Sequence, residues 1–200
     1  MENSKRNSEI NPHKDREWVI ERYFEDLNLT ESKLQGKRVL DIGSGEDCFF
    51  ADYCREKGIA DVYPIDLGLH GEGGQKVVAT GVSLPFKDEM FDLVFSENAV
   101  PSCFYNFPGT EQMKEMSSRS IDEMLRVTKP GGEIRFYPIY KNWHDYSGSL
   151  FGVVFHFLRQ KLEKLVQAGV CQIEFKESKP IDIYRIKRTP VMVRIIKMPH

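Results

Sequence analysis

The sequence predicts an α/β protein built on a doubly wound, mostly parallel, seven-stranded Rossmann-like sheet with an antiparallel C-terminal strand. Three observations carry that prediction. Short β-branched and aliphatic runs alternate with stretches whose apolar residues recur at helical intervals. The connections between them are short, which implies right-handed crossovers with helices on both faces. The run VLDIGSGED, Val39 to Asp47, has the continuous apolar character of a strand covered on both faces and then turns on two glycines spaced one apart.

Composition narrows the classes. Two hundred residues fit one domain, read here as 1–200. A hydrophobic share of 40%, a charged share of 29% and a formal charge of −2 give no general attraction to nucleic acid or to a membrane surface. Cys48, Cys54, Cys103 and Cys171 form no C-x-x-C pair and have no matching histidines, so reduced core cysteines in a cytoplasmic protein are expected, with no metal site. The opening MENSKRNSEINP lacks the apolar centre of a signal peptide. The apolar run Leu150 to Leu158 is about half the ~20 residues that span a bilayer, and it contains His156, so it reads as a helix on a sheet.

Element by element, Trp18, Val19, Tyr23, Phe24 and Leu27 mark an N-terminal helix over 14–28. The central core is read over 37–139. Its first strand leads to a helix from about Glu46, with Phe49, Phe50, Tyr53 and Cys54 on one face and Gly58 as its stop. Asp61 to Asp66 is a second strand ending in an acid. The glycine-rich GLHGEGGQ after Leu67 reads as a loop where another crossover helix is expected. Val77–Val78 and Phe91 to Ser96 are further strands, and Ala99 to Gly109 is an aromatic, proline-containing loop. A helix from Glu111 to Thr128 is stopped by Pro130 and Gly131, and Glu133 to Ile139 is strand five. Over 147–200, a helix from Ser147 to Ala168 precedes two strands, Cys171 to Phe175 and Val191 to Lys197, that pair antiparallel across a polar link.

In a doubly wound sheet, ligands settle beyond the carboxyl ends of the strands where the strand order reverses. That edge gathers Asp41, Gly43, Gly45, Asp66, the Thr80 to Leu84 turn and Ser96 to Asn98. The glycines allow close backbone approach to a ligand. Asp66 lies 21 residues after Gly45, near the ~20-residue offset at which a carboxylate accepts both ribose hydroxyls.

With these residues in place, the sequence resembles the class I S-adenosylmethionine-dependent methyltransferases, most closely the small methyltransferase type 11 group. Four blocks carry the resemblance: VLDIGSG, then IDL at Ile65 to Leu67, then Gly81 to Val100, then Asp122 to Ile139. It implies S-adenosylmethionine as cofactor, held by Asp41, Gly43, Ser44, Gly45, Asp66, Leu67, Thr80, Gly81, Val82, Ser96 and Asn98. A dinucleotide-binding alternative wants a third glycine where Cys48 stands in GSGEDC, whereas Asp41 two residues before Gly43 meets the methyltransferase pattern. The chain departs from that pattern at Asp47, where the group carries a glycine, and at Thr80, where it often carries an acid.

Methyl transfer from a sulfonium is an in-line displacement that requires no metal, and a general base assists when the acceptor is a hydroxyl or amine. Glu97, His144 and Asp145 are the candidate bases, Glu97 being the best placed. SENAVP after strand four differs from the N-P-P-aromatic sequence of enzymes acting on nucleobase or glutamine nitrogens, and the aromatics around Phe104, Tyr105, Phe107 and Trp143 could wall a pocket for a small acceptor. Methyl transfer to a small molecule is therefore expected. The alternative is a methyltransferase-like binding or regulatory protein without catalysis. The basic tail Lys176 to Lys197 reads as a solvated edge rather than a nucleic-acid surface.

Overall fold

The computed structural model describes residues 12–68, 76–100, 109–140, 150–183 and 186–199. Helix α1 (Pro12–Asp26) and the single turn α2 (Glu31–Leu34) precede β1 (Lys37–Ile42), α3 (Phe49–Lys57), β2 (Ala60–Asp66) and the two-residue β3 (Val77–Val78). Then come β4 (Phe91–Glu97), α4 (Thr110–Val127), β5 (Thr128–Tyr140), α5 (Leu150–Gln167) and β6 (Cys171–Glu177). A small hairpin, β7 (Ile181–Ile183) and β8 (Ile186–Arg188), leads to β9 (Pro190–Lys197).

The sheet runs β3-β2-β1-β4-β5-β9-β6. Strands β1 to β5 pair in parallel, and β9 lies antiparallel between β5 and β6. The order reverses between β1 and β4, and this is where a doubly wound sheet opens a crevice for ligand.

Alternation of side chains sorts the apolar residues onto two faces. Leu40, Ile42, Val94, Ile134, Phe136 and Ile195 pack with Met113, Ile121 and Met124 of α4 and Leu158 of α5. On the other face Val39, Val62, Leu93 and Phe95 pack with Tyr23 and Leu27 of α1 and Phe50 and Cys54 of α3. Tyr23 stacks on Phe50 with ring centroids 4.6 Å apart, and Phe95 meets both rings edge-on. Such pairs contribute about 0.5–1.5 kcal/mol beyond area burial, and they fix α1 over the carboxyl end of β4.

Three boundaries differ from the sequence reading. Helix α3 starts at Phe49 rather than near Glu46, because Cys48 takes a left-handed conformation, φ 53°, and caps it. Strand β5 begins at Thr128, directly where α4 ends, and not at Glu133. The Thr128 hydroxyl donates to the Met124 carbonyl at 2.6 Å, and Thr128 pairs with Phe91. The register then shifts before Leu93 meets Glu133, so Pro130 and Gly131 fall in an irregular stretch that needs no ladder donor. The polar link after β6 contains the β7–β8 hairpin, whose three-residue strands are too short to register as a periodic run.

The glycine-rich 69–75, the aromatic 101–108 and the segment 141–149, with Cys103, His144 and Asp145, lie outside the described residues. Cys48, Cys54 and Cys171 are buried free thiols. Among the described residues no helix is long and apolar enough to cross a membrane, and no group of three His, Cys, Asp or Glu side chains is placed to hold a metal.

Candidate cofactor site

At the switch point, β1 delivers its glycine turn beside the ends of β2 and β4. Gly43 has φ 82°, and a Cβ placed on it would lie 2.2 Å from the Cβ of Ala99. Only glycine tolerates both the left-handed backbone and that contact. The Gly43 and Ser44 amides donate to the Ile65 carbonyl at 2.8 and 3.2 Å, tying the turn to β2. Gly45 differs, because a Cβ there would meet nothing within 4 Å, so its outer side is open to a ligand. Asp47 is exposed on the same turn and lies outside the left-handed region; the left-handed residue is its neighbour Cys48.

Asp66 ends β2 and links two loops. Its carboxylate accepts from the Gly45 amide at 3.1 Å on one oxygen and from the Gly68 amide at 2.9 Å on the other. The Glu46 carboxylate closes over Gly68, where an added Cβ would meet it at 3.0 Å. Leu67 beside Asp66 is 67% exposed. Thr80 and Ser83 form an isolated bridge that holds the Thr80 to Leu84 turn, and an added Cβ on Gly81 would press on Val100 and Ile42 at 2.9 and 3.3 Å. Val82 is buried. Ser96 is also buried, and its hydroxyl accepts from the Val100 amide at 2.7 Å, so it shapes the loop after β4 from inside.

Asp41 is fully buried beneath the glycine turn. The Tyr23 hydroxyl lies 3.2 Å from each of its oxygens. Burial pushes the Asp41 carboxyl well above the ordinary carboxylate range; the Tyr23 hydrogen bond opposes the shift, and the nearby charges of Glu97 and Asp66 add to it. Asp41 therefore lies below the turn, in contact with Tyr23 of α1.

Glu97 ends β4 and is gripped from above. Arg22 of α1 donates to its Oε1, as does the Nδ2 of Asn98. Arg22 also pairs with Asp26 at 3.5 Å, one helical turn along. Burial pushes Glu97 up to about 7, Arg22 opposing and Asp26 reinforcing the shift. Burial raises Asp26 too, against Arg22. Asn98 has φ 53°, and its amide donates to the Tyr137 carbonyl at 2.8 Å, linking the ends of β4 and β5.

The sequence reading placed Asp41, Gly43, Ser44, Gly45, Asp66, Leu67, Thr80, Gly81, Val82, Ser96, Glu97 and Asn98 along one edge. The structure brings them to that edge, with Asp41, Val82 and Ser96 buried behind it. Sequence reasoning missed Arg22 and Asp26, and it read Tyr23 as a helix aromatic and candidate acceptor-pocket wall, not as the partner of Asp41. The i, i+4 spacing of Arg22 and Asp26 was the available signal, but it does not say that this helical face meets a strand end 75 positions later.

Comparison with known proteins agrees with this geometry. Residues 40–136 match the family described as "Methyltransferase domain", and the sheet order places the matched glycine turn at the switch point. This is the class I S-adenosylmethionine-dependent methyltransferase fold. An uncharacterized methyltransferase of Mycobacterium sp. (strain KMS) is 35% identical over 113 residues, 52% of this chain and 39% of that protein. The match thus spans about two fifths of the length of the curated relatives. A SAM-dependent methyltransferase from Methanosarcina mazei shares the fold at a TM-score of 0.55 and 19% identity, covering 91% of this chain and 98% of the other. Phosphoethanolamine N-methyltransferase 2 of Haemonchus contortus, solved in complex with S-adenosyl-L-methionine, matches at a TM-score of 0.55 and 14% identity over 92% of this chain and 53% of its own. At such identities the methyltransferase fold is what is shared.

Proposed function

We propose that the protein transfers a methyl group from S-adenosylmethionine to a small-molecule acceptor, with Glu97 as general base. The observation that carries this reading is the concentration of carboxylates around an open glycine turn. Asp66 and Glu97 end β2 and β4, the strands on either side of β1, and Glu46 and Asp47 are exposed on the turn that β1 delivers. Such an edge is complementary to a sulfonium and an ammonium in one ligand, and it is unfavourable for the pyrophosphate of a dinucleotide.

The residues present fit this cofactor. Gly45 leaves open space, the Gly43–Gly45 turn is pinned to β2, and Asp66 retains lone pairs for the ribose hydroxyls beyond the two amides it accepts. Thr80, Gly81 and Val82 would flank the adenine, with Leu67 supplying an apolar surface beside it. When bound, the cofactor supplies an electrophilic methyl group, and the displacement needs no metal.

Glu97 performs the proton chemistry in this reading. An oxygen or nitrogen acceptor loses its proton as the new bond to carbon forms, and a carboxylate held near neutral pH is matched to receiving it. Arg22 and Asn98 both donate to Oε1 and keep the carboxylate oriented.

Calorimetric titration with S-adenosylmethionine and S-adenosylhomocysteine tests the reading. Both are expected to bind, and Asp66→Ala should weaken them by about 1–3 kcal/mol through loss of charge-assisted hydrogen bonds. Absence of binding by either at millimolar concentration sinks the proposal.

A further inference from the structure

At the opposite end of the sheet from the cofactor edge, a recess of about 380 Å³ opens where the face covered by α1 and α2 gives way to β9 and β6. It lies within the ~300–1,000 Å³ range of small-ligand sites. Its cationic lining is Lys33, Lys37, Arg135, Lys176 and Arg194, against Glu133 and Glu174.

The carboxylates do not balance the lysines. Glu133 is held by Arg135 and Arg194, each at 2.6 Å, and Glu174 by Arg194 at 2.7 Å. The ammonium groups turn instead to neutral oxygens of one residue. Lys33 donates to the Asn28 carbonyl at 3.0 Å, Arg135 to the same carbonyl at 2.8 Å, and Lys176 to the Asn28 side-chain oxygen. Arg135 alone explains the end of α1, since it is buried and also holds the Leu27 carbonyl at 2.8 Å. Lys33 and Lys176 are exposed and exceed that need. Desolvation, reinforced by the charges of Arg135 and Lys176, lowers the Lys33 ammonium below its ordinary range. Phe175, 54% exposed, pairs with Val193 and so turns to the face covered by α5, leaving the charged side chains of Glu174 and Lys176 on the recess side of β6.

We propose that this recess binds a phosphorylated small molecule, with Lys33, Lys37 and Lys176 around the phosphate. A dianionic phosphate supplies the charge that the lysines lack and accepts several N–H bonds at once. The site is separate from the cofactor edge and does not depend on the methyl-transfer reading.

Titration of the full chain with AMP and with inorganic pyrophosphate tests it. AMP is expected to saturate at submillimolar concentration and to weaken as salt rises from about 50 to about 200 mM, the mark of ion-pair binding. The Lys33→Gln/Lys176→Gln variant should lose at least tenfold for both probes, while Phe175→Ala, on the opposite face of the sheet, should keep its affinity for both. Unchanged circular dichroism and unchanged S-adenosylmethionine affinity in these variants separate loss of this site from unfolding and from the cofactor question. Saturation by neither probe at millimolar concentration overturns the proposal. So does equal binding by the double-lysine variant, or binding of single-stranded RNA but not AMP.

Discussion

The Tyr23 hydroxyl of α1 sits equidistant from both oxygens of the buried Asp41 carboxyl, at 3.2 Å from each. The Tyr23 hydroxyl thus serves a fully buried acid that also feels the nearby charges of Glu97 and Asp66. Raising a carboxyl pKa on folding means that the native state holds its proton to higher pH than the unfolded chain. At a pH below the unfolded value of about 3.9 both states are protonated and no penalty exists. Above it the unfolded chain ionises first, so stability falls as pH rises toward the folded value. Asp41→Asn removes this penalty. Its melting temperature should exceed that of the wild type by a margin that widens as pH rises above about 4, measured without cofactor. A margin that stays constant with pH refutes the raised Asp41 carboxyl.

Glu97 and Asp26 are coupled through Arg22, and their titration belongs to the group rather than to either residue. In the proposed reaction the ionised form of Glu97 is active, so the rate should rise with pH through an apparent value near 7. Removing the Asp26 charge with Asp26→Asn eases ionisation of Glu97 and should move the profile to lower pH. Arg22→Gln should move it to higher pH. Glu97→Gln should abolish turnover while S-adenosylmethionine still binds. Displacements of the same sign in the two flanking variants exclude the electrostatic account.

The parts legible in the sequence are those that local chemistry dictates. Val39 to Ile42 and Phe91 to Ser96 read as buried strands because both faces are covered, and the structure covers both. Gly43 and Gly45 read as a turn for the same local reason. What escaped is what depends on contacts distant in sequence. Ser96 looks like a ligand contact at a strand end, but its hydroxyl turns inward to the Val100 amide. Asp41 looks like a delivered side chain, yet burial under Tyr23 makes it a support. Tyr23 itself reads as a helix aromatic and candidate pocket wall, since its hydroxyl has no sequence signature. Pro130 and Gly131 signal a stop, but the register shift in β5 absorbs them inside a strand.

Gly43→Ala isolates the tightest contact of the glycine turn. A non-glycine residue at φ 82° costs about 1–3 kcal/mol, and the overlap with Ala99 adds a separate packing penalty of similar size. The variant should be destabilised by on the order of 2–5 kcal/mol in urea unfolding. Ala99→Gly in the same chain should recover the packing part and leave the backbone part. Full recovery excludes backbone strain, and no recovery excludes the overlap.

Arg126 near the end of α4 gathers the end of the Thr80 to Leu84 turn and the residues after it. Its guanidinium donates to the Leu84 carbonyl at 2.9 Å, the Phe86 carbonyl at 2.8 Å and the Asp88 carboxylate at 2.7 Å. It also pairs with Glu123, whose Oε2 accepts the Leu84 amide at 2.7 Å. Both Arg126 and Glu123 therefore grip Leu84, two residues beyond Val82. Charged donors to carbonyls contribute about 1.5–3 kcal/mol where they are shielded, and half-exposed ones less. Arg126→Ala should lower stability by about 2 kcal/mol. Arg126→Lys should recover little of it, because one ammonium cannot span two carbonyls and two carboxylates in the plane of a guanidinium. If Thr80 to Val82 flank the adenine, both variants should also weaken S-adenosylhomocysteine binding several-fold at a temperature where they remain folded. Weakened stability with unchanged affinity would show that the clamp serves the core alone and that the turn does not touch the cofactor.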